Sequence, residues 1–211
     1  TTHTAASTGS GTSAPVAAAV VGLQGFGADA GVLGVLRDGR LIEGQLGSLT
    51  QRPGPDGGGT VKDLQGSSPR ALFAVGGAGL RPRIWRVPTD GGALADEKLP
   101  ASVPNQQLTA VWAVHDELVY AVGDQGALLE RTGGAWSELP SADAGLRAVR
   151  AFGKGRVYAA TIDGRVLRFE GTRWEELYRH PGPASFTDLT GSAVDDLWVV
   201  GHDGLVVHWL E

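Results

Sequence analysis

The stretch LVYAVGDQGALLERTGGAWSELP, Leu118 to Pro140, decides the fold. It holds three short runs dominated by leucine, β-branched and aromatic residues (Leu118 to Val122, Ala127 to Arg131, Ala135 to Leu139), parted by Asp124-Gln125-Gly126 and by Gly133-Gly134. Runs this short between Gly and Asp turns are strands joined by tight hairpins: glycine reaches positive φ without strain, and Asp bonds back to neighbouring amides. Just upstream, Leu108-Thr109-Ala110-Val111-Trp112 supplies a fourth strand. One small antiparallel sheet of this kind cannot bury both of its faces alone, so it needs neighbours.

The neighbours are copies of itself. Gly39, Gly79, Gly126, Gly164 and Gly204 act as rulers separated by 40, 47, 38 and 40 residues. Eighteen residues before each ruler stands an apolar residue (Val21, Val61, Leu108, Leu146, Phe186). Seven before come Val32, Leu72, Val119, Val157 and Leu197, and six before come Leu33, Phe73, Tyr120, Tyr158 and Trp198. Four before come Val35, Val75, Val122, Ala160 and Val200, so every column is apolar in every unit. Four short antiparallel strands recurring about every forty residues make one blade of a β-propeller. The chain therefore reads as all-β, a five-bladed β-propeller with blades at about 16–55, 60–103, 108–141, 146–180 and 186–211 after an N-terminal segment 1–15. The last unit has only three strands, and an open edge invites pairing. The threonine-rich Thr1 to Ala6 segment is expected to fill it, closing the ring; the alternative is a strand from a neighbouring subunit.

Leu118 to Pro140 and GSAVDDLWVVGHDGLVVHW (Gly191 to Trp209) resemble the propeller repeats of secreted bacterial proteins, with the pattern DLWAVG, Gly, Leu and Trp-Gly-Trp-Leu. They are more distantly similar to Asp-box propellers and to the photosystem assembly-factor type. The resemblance covers roughly residues 16–211 and implies fold far more than function, because the matched residues are blade builders. Among Asp-box families are sialidases, which need an arginine triad and a tyrosine nucleophile. Here the turns Arg131 to Trp136 and Glu170 to Trp174 lack the aspartate, and Tyr120 and Tyr158 fall in a core column.

Composition narrows the function classes. Glycine is 33 of 211 residues against a usual ~7%, while the apolar fraction is an ordinary 42%, so the chain is turn-dense yet able to form a core. Cysteine is absent, which removes disulfides, thiolate metal sites and a cysteine nucleophile. A net charge of −5 gives no electrostatic case for nucleic acid, and the longest apolar stretch, Pro15 to Leu23, is too short for a transmembrane segment. Thr1 to Pro15 is small and polar, like the mature side of a cleaved export signal, so the expected location is periplasmic or extracellular.

No cofactor is expected. His3, His115, His180, His202 and His208 show no metal-ligand spacing, so no metal is expected either, and no catalytic residue stands out. Asp116-Glu117 and Asp195-Asp196 recur at matching turns, which fits backbone capping better than acid–base chemistry. Arg147, Arg150, Lys154, Arg156, Arg165, Arg168, Arg173 and Arg179 crowd the fourth unit and could face an acidic partner. Trp136, Trp174, Trp198 and Trp209 fall in packing columns. Trp112 does not: its column, fourteen before the ruler, also holds Gln65, Arg150 and Thr190 on the first strand of each blade, next to the central channel, where a ligand would bind. Trp85, flanked by arginines, is the other uncommitted indole and a candidate partner anchor. The expected function is a non-catalytic, protein-binding scaffold or subunit of a larger homo- or hetero-oligomeric assembly. A glycan-binding, lectin-like propeller is the alternative, with a glycosidase or lyase third.

Overall fold

A computed structural model describes residues 20–210 apart from 26–30, 46–47, 53, 56–57 and 89–91. The described residues form five antiparallel sheets in chain order. The first contains β1 (Val20–Gly25), β2 (Val32–Leu36), β3 (Leu41–Gln45) and β4 (Ser48–Arg52). The second contains β5 (Thr60–Ser68), β6 (Ala71–Ala78), β7 (Arg81–Arg86) and a two-residue β8 (Ala95–Asp96). In the third are β9 (Leu108–His115), β10 (Leu118–Gly123), β11 (Leu128–Thr132) and β12 (Ala135–Leu139). The fourth has β13 (Leu146–Gly153), β14 (Arg156–Thr161), β15 (Arg165–Phe169) and β16 (Trp174–Arg179), and the fifth β17 (Phe186–Ala193), β18 (Asp196–Gly201) and β19 (Val206–Leu210).

Each sheet is a meander whose strands pair with their sequence neighbours, as hairpin turns require. All five ruler glycines have positive φ, between 61° and 92°, which explains why the repeat is anchored on glycine. At Gly126 a Cβ would also lie 2.3 Å from the Ala142 carbonyl oxygen, so the turn closes tightly on the loop after β12.

Successive sheets pack face to face, with first strands side by side: β1 by β5, β5 by β9, β9 by β13 and β13 by β17. The core accordingly divides into four apolar seams. Leu33, Val35, Leu64 and Trp85 fill the first, and Phe73, Ile84, Val111 and Leu129 the second. Tyr120, Leu128, Val149 and Phe169 fill the third, and Tyr158, Phe186, Leu189 and Leu197 the fourth. Burying each such side chain contributes about 1.5–3 kcal/mol, so the seams rather than single sheets carry the stability.

Polar ties reinforce the second seam. Asp63 on β5 accepts the Val111 amide at 2.9 Å, the side-chain Oε1 of Gln65 accepts the Ala113 amide, and Ser67 donates to Asp116 at 2.7 Å. Asp116 thus ties two sheets together at the turn where the sequence placed a capping acid. Asp63 is half-buried, and desolvation raises its carboxyl to about 6 despite the two amides it accepts.

The expected closed ring is not formed by the described residues. The fifth sheet has three strands, and the expected closing segment, Thr1 to Ala6, lies outside the described residues. Among the described residues nothing covers the outward face of the fifth sheet: Trp198, expected in a core column, is 44% exposed. Its equivalents Phe73, Tyr120 and Tyr158 are buried because a following sheet lies over each of them.

Candidate ligand-binding site

The first strands converge along the centre of the array, and the residues at their equivalent positions meet there. Trp112 on β9 and Arg150 on β13 both pair with the tyrosine of their second strand, Tyr120 and Tyr158, which puts them on matching faces of adjacent sheets. The Arg150 guanidinium lies 3.8 Å from the centre of the Trp112 ring and 5.4 Å from that of Phe152. Its Nε is buried without a hydrogen-bond partner, and desolvation lowers its pKa. A cation between aromatic faces is held by their quadrupoles, but its N–H groups stay unspent and attract an anionic or carbonyl oxygen.

Arg150 differs from the arginines of its unit that are paired and from those that are exposed, being partly buried without an acid beside it among the described residues. Arg165 pairs with Asp143, Asp163 and Glu176, Arg168 with Glu170 and Glu175, and Arg179 with Glu176. Lys154 approaches Glu130. Half of the basic crowding of the fourth unit is therefore neutralised within the fold, and the acidic-partner reading contracts to Arg150 and the exposed Arg147, Arg156 and Arg173.

The remaining expected site residues part ways. Gln65 is half-buried, with its side-chain Oε1 committed to the Ala113 amide and its Nε2 donating to the Gly66 carbonyl at 3.3 Å, so it works as a tie between sheets. Thr190 is exposed on β17, opposite Trp198. Trp85 requires a correction: it is completely buried in the first seam, not a surface anchor. The β6–β7 hairpin is longer than its counterparts, pairing Val75 with Ile84 where the third sheet pairs Val122 with Leu128. That extension moves Trp85 opposite Ala74, into the buried column that Leu129 and Leu167 occupy elsewhere. Its indole nitrogen is buried without a hydrogen-bond partner.

At one end of the convergence line, an open depression of about 550 Å³ is bounded by Lys62, Thr109, Asp124, Arg147, Thr187 and His202. It mixes both charges and lacks aromatic lining. A second depression, about 450 Å³, lies over Glu130, Lys154 and Gly155. There the buried Tyr120 hydroxyl donates to Glu130 at 2.7 Å and accepts the Gly155 amide at 3.1 Å, and burial together with Glu130 raises its pKa. These groups satisfy one another. Among the described residues no cluster of His, Asp and Glu is arranged to hold a metal ion. His208 stacks on Trp198 at 3.9 Å and bonds Asp196 at 2.7 Å. No helix among the described residues is long and apolar enough to cross a membrane.

No protein-family model matches the chain and no curated protein sequence resembles it. Its fold is shared with solved β-propellers. It is similar to YCF48 bound to a D1 peptide, with a TM-score of 0.70 and 14% identity over 93% of this chain and 66% of that one. YCF48 from Cyanidioschyzon merolae gives 0.68 and 14% over 94% and 71%. The WD40 propeller domain of Doa1 gives 0.72 and 16% over 91% and 65%. The chain thus spans about two thirds of the length of these structures, and identities this low establish the propeller-type fold alone.

Proposed function

We propose that the chain is a non-catalytic, protein-binding propeller scaffold that works in the periplasm or outside the cell, and that it binds an extended peptide segment bearing a carboxylate. The observation that carries the reading is the Arg150–Trp112 pair: a desolvated cation stacked on an indole, with an Nε that has no partner. A peptide carboxylate would bind the guanidinium's terminal N–H groups, which have no acceptor among the described residues, while backbone and side chains cross the first strands. The solved YCF48 structure with a bound D1 peptide makes a peptide ligand reasonable for this architecture. The small polar composition of Thr1 to Pro15 and the absence of cysteine support export. The same reading gives the fifth sheet a fourth strand along β19, supplied by Thr1 to Ala6 of its own chain or of a neighbour.

The glycan alternative has less support, because Arg150 already covers a face of Trp112 that a sugar ring would need. Calorimetry with extended peptides carrying aspartate or glutamate, against the same peptides with asparagine or glutamine, tests the proposal. Acidic peptides should bind, and Arg150→Gln should weaken them at least about tenfold, equivalent to about 1.4 kcal/mol. Binding insensitive to Arg150→Gln would sink the peptide reading, and saturable tryptophan quenching by neutral oligosaccharides would replace it with the lectin one.

A further inference from the structure

Six of the eight exposed large hydrophobic residues among those described lie on the two end sheets: Val20 and Leu23 on the first, and Trp198, Val200, Val206 and Leu210 on the fifth. The internal seams show what such positions are for. Val206 pairs with Val200 as Leu128 pairs with Val122, and the latter two are fully buried under the fourth sheet while Val206 is 57% exposed. At the other end, Leu23 sits opposite Gly34 as Leu64 sits opposite Ala74 and Val111 opposite Ala121. Leu64 and Val111 are buried against the preceding sheet, whereas Leu23 is 61% exposed.

Among the described residues, one end therefore presents a forward face with nothing over it, and the other a rear face with nothing beneath it. These are the two halves of one joint, which the molecule builds four times within itself. The polar groups that β18 and β19 place on the forward face are satisfied: Asp196 accepts from His208 and Ser192, and His208 lies flat on Trp198; on β17, Asp188 opposite Val200 accepts the Leu189 amide, and Thr190 opposite Trp198 is exposed. Covering the β18–β19 part strands no unpaired charge, and Asp188 holds the position from which Asp63 accepts the Val111 amide of the sheet that covers it.

We infer that the forward face of the fifth sheet docks the rear face of the first sheet of a second copy, head to tail, through a fifth repetition of the internal seam. A joint made of two different patches is heterologous, so copies add in rings or open chains rather than stopping at a symmetric pair. The inference rests on the end faces and is independent of the peptide site at Arg150.

Two charge insertions test it, Val206→Lys on the forward face and Leu23→Lys on the rear. Both positions are exposed in the single chain, so each variant should keep its circular dichroism and its peptide affinity. In sedimentation velocity over micromolar to hundred-micromolar concentrations, the unaltered chain should form species larger than 21.8 kDa. Each variant alone should remain monomeric, since every joint would contain one charged face. Mixed in equal amounts, the two should give a dimer and nothing larger, because the intact forward face of Leu23→Lys meets the intact rear face of Val206→Lys. Three results overturn the inference: an unaltered chain that stays monomeric throughout, variants that associate as the unaltered chain does, or a mixture that remains monomeric.

Discussion

The third seam and the outward face of the fifth sheet are built from the same columns and differ only in what lies over them. Tyr120, Val122 and Leu128 meet the fourth sheet and are buried; Trp198, Val200 and Val206 hold the same register and face water. In a repeat protein a residue's contribution is set as much by the next unit as by its own. The contrast makes the two regions controls for each other.

The largest expected difference comes from truncating one column in both places. Tyr120→Ala removes a buried ring and strands Glu130, which then loses its 2.7 Å donor, and should cost about 3–5 kcal/mol in urea denaturation. Trp198→Ala in the same column should cost under about 1 kcal/mol, measured at concentrations where the chain is monomeric. Equal costs would break the comparison, because they would mean that both faces are covered.

A smaller contrast separates two rulers. Gly126→Ala adds a Cβ 2.3 Å from the Ala142 oxygen at a φ of +92°, whereas at Gly204 (φ +77°) the same Cβ meets nothing within 4 Å. Gly204→Ala should cost about 1 kcal/mol for the backbone conformation alone, and Gly126→Ala should cost clearly more. Thermal melts of the two variants provide the check.

A pH effect is expected at the second seam. The Asp63 carboxyl stands at about 6 in the fold against an ordinary 3.8, so the folded chain holds the proton more tightly than the unfolded one. Its contribution is greatest below about pH 4, declines as pH rises to about 6 and is flat above that, by at most about 3 kcal/mol. Asp63→Asn retains an acceptor for the Val111 amide and should flatten that part of the stability–pH curve. A curve unchanged by the substitution would show that the decline arises elsewhere.

Much of the architecture was legible in the sequence because the ruler glycines mark a backbone requirement, a positive φ after the second strand, that side chains rarely meet. The apolar columns show which residues point into a seam, but they carry no information on whether a further sheet completes it. Trp198 therefore reads like Tyr120 and behaves differently. Trp85 was misplaced for a related reason: the offset from Gly79 holds only for hairpins of equal length, and the extended β6–β7 hairpin shifts its column. At the site, the shared column of Trp112 and Arg150 was visible. Their contact was not, because nothing in a single chain's spacing says that an arginine on one sheet bends onto the indole of the sheet before it rather than toward a carboxylate, as Arg165 and Arg168 do.

Amide hydrogen exchange at a monomeric concentration tests the central claim most directly, by comparing β10 (Leu118–Gly123) with β18 (Asp196–Gly201), the two equivalent second strands. Buried on both faces, β10 should exchange only through global unfolding, while β18, packed on one face, should open locally and exchange at least about tenfold faster. Equal protection of the two strands would contradict an array of sheets whose last face is bare.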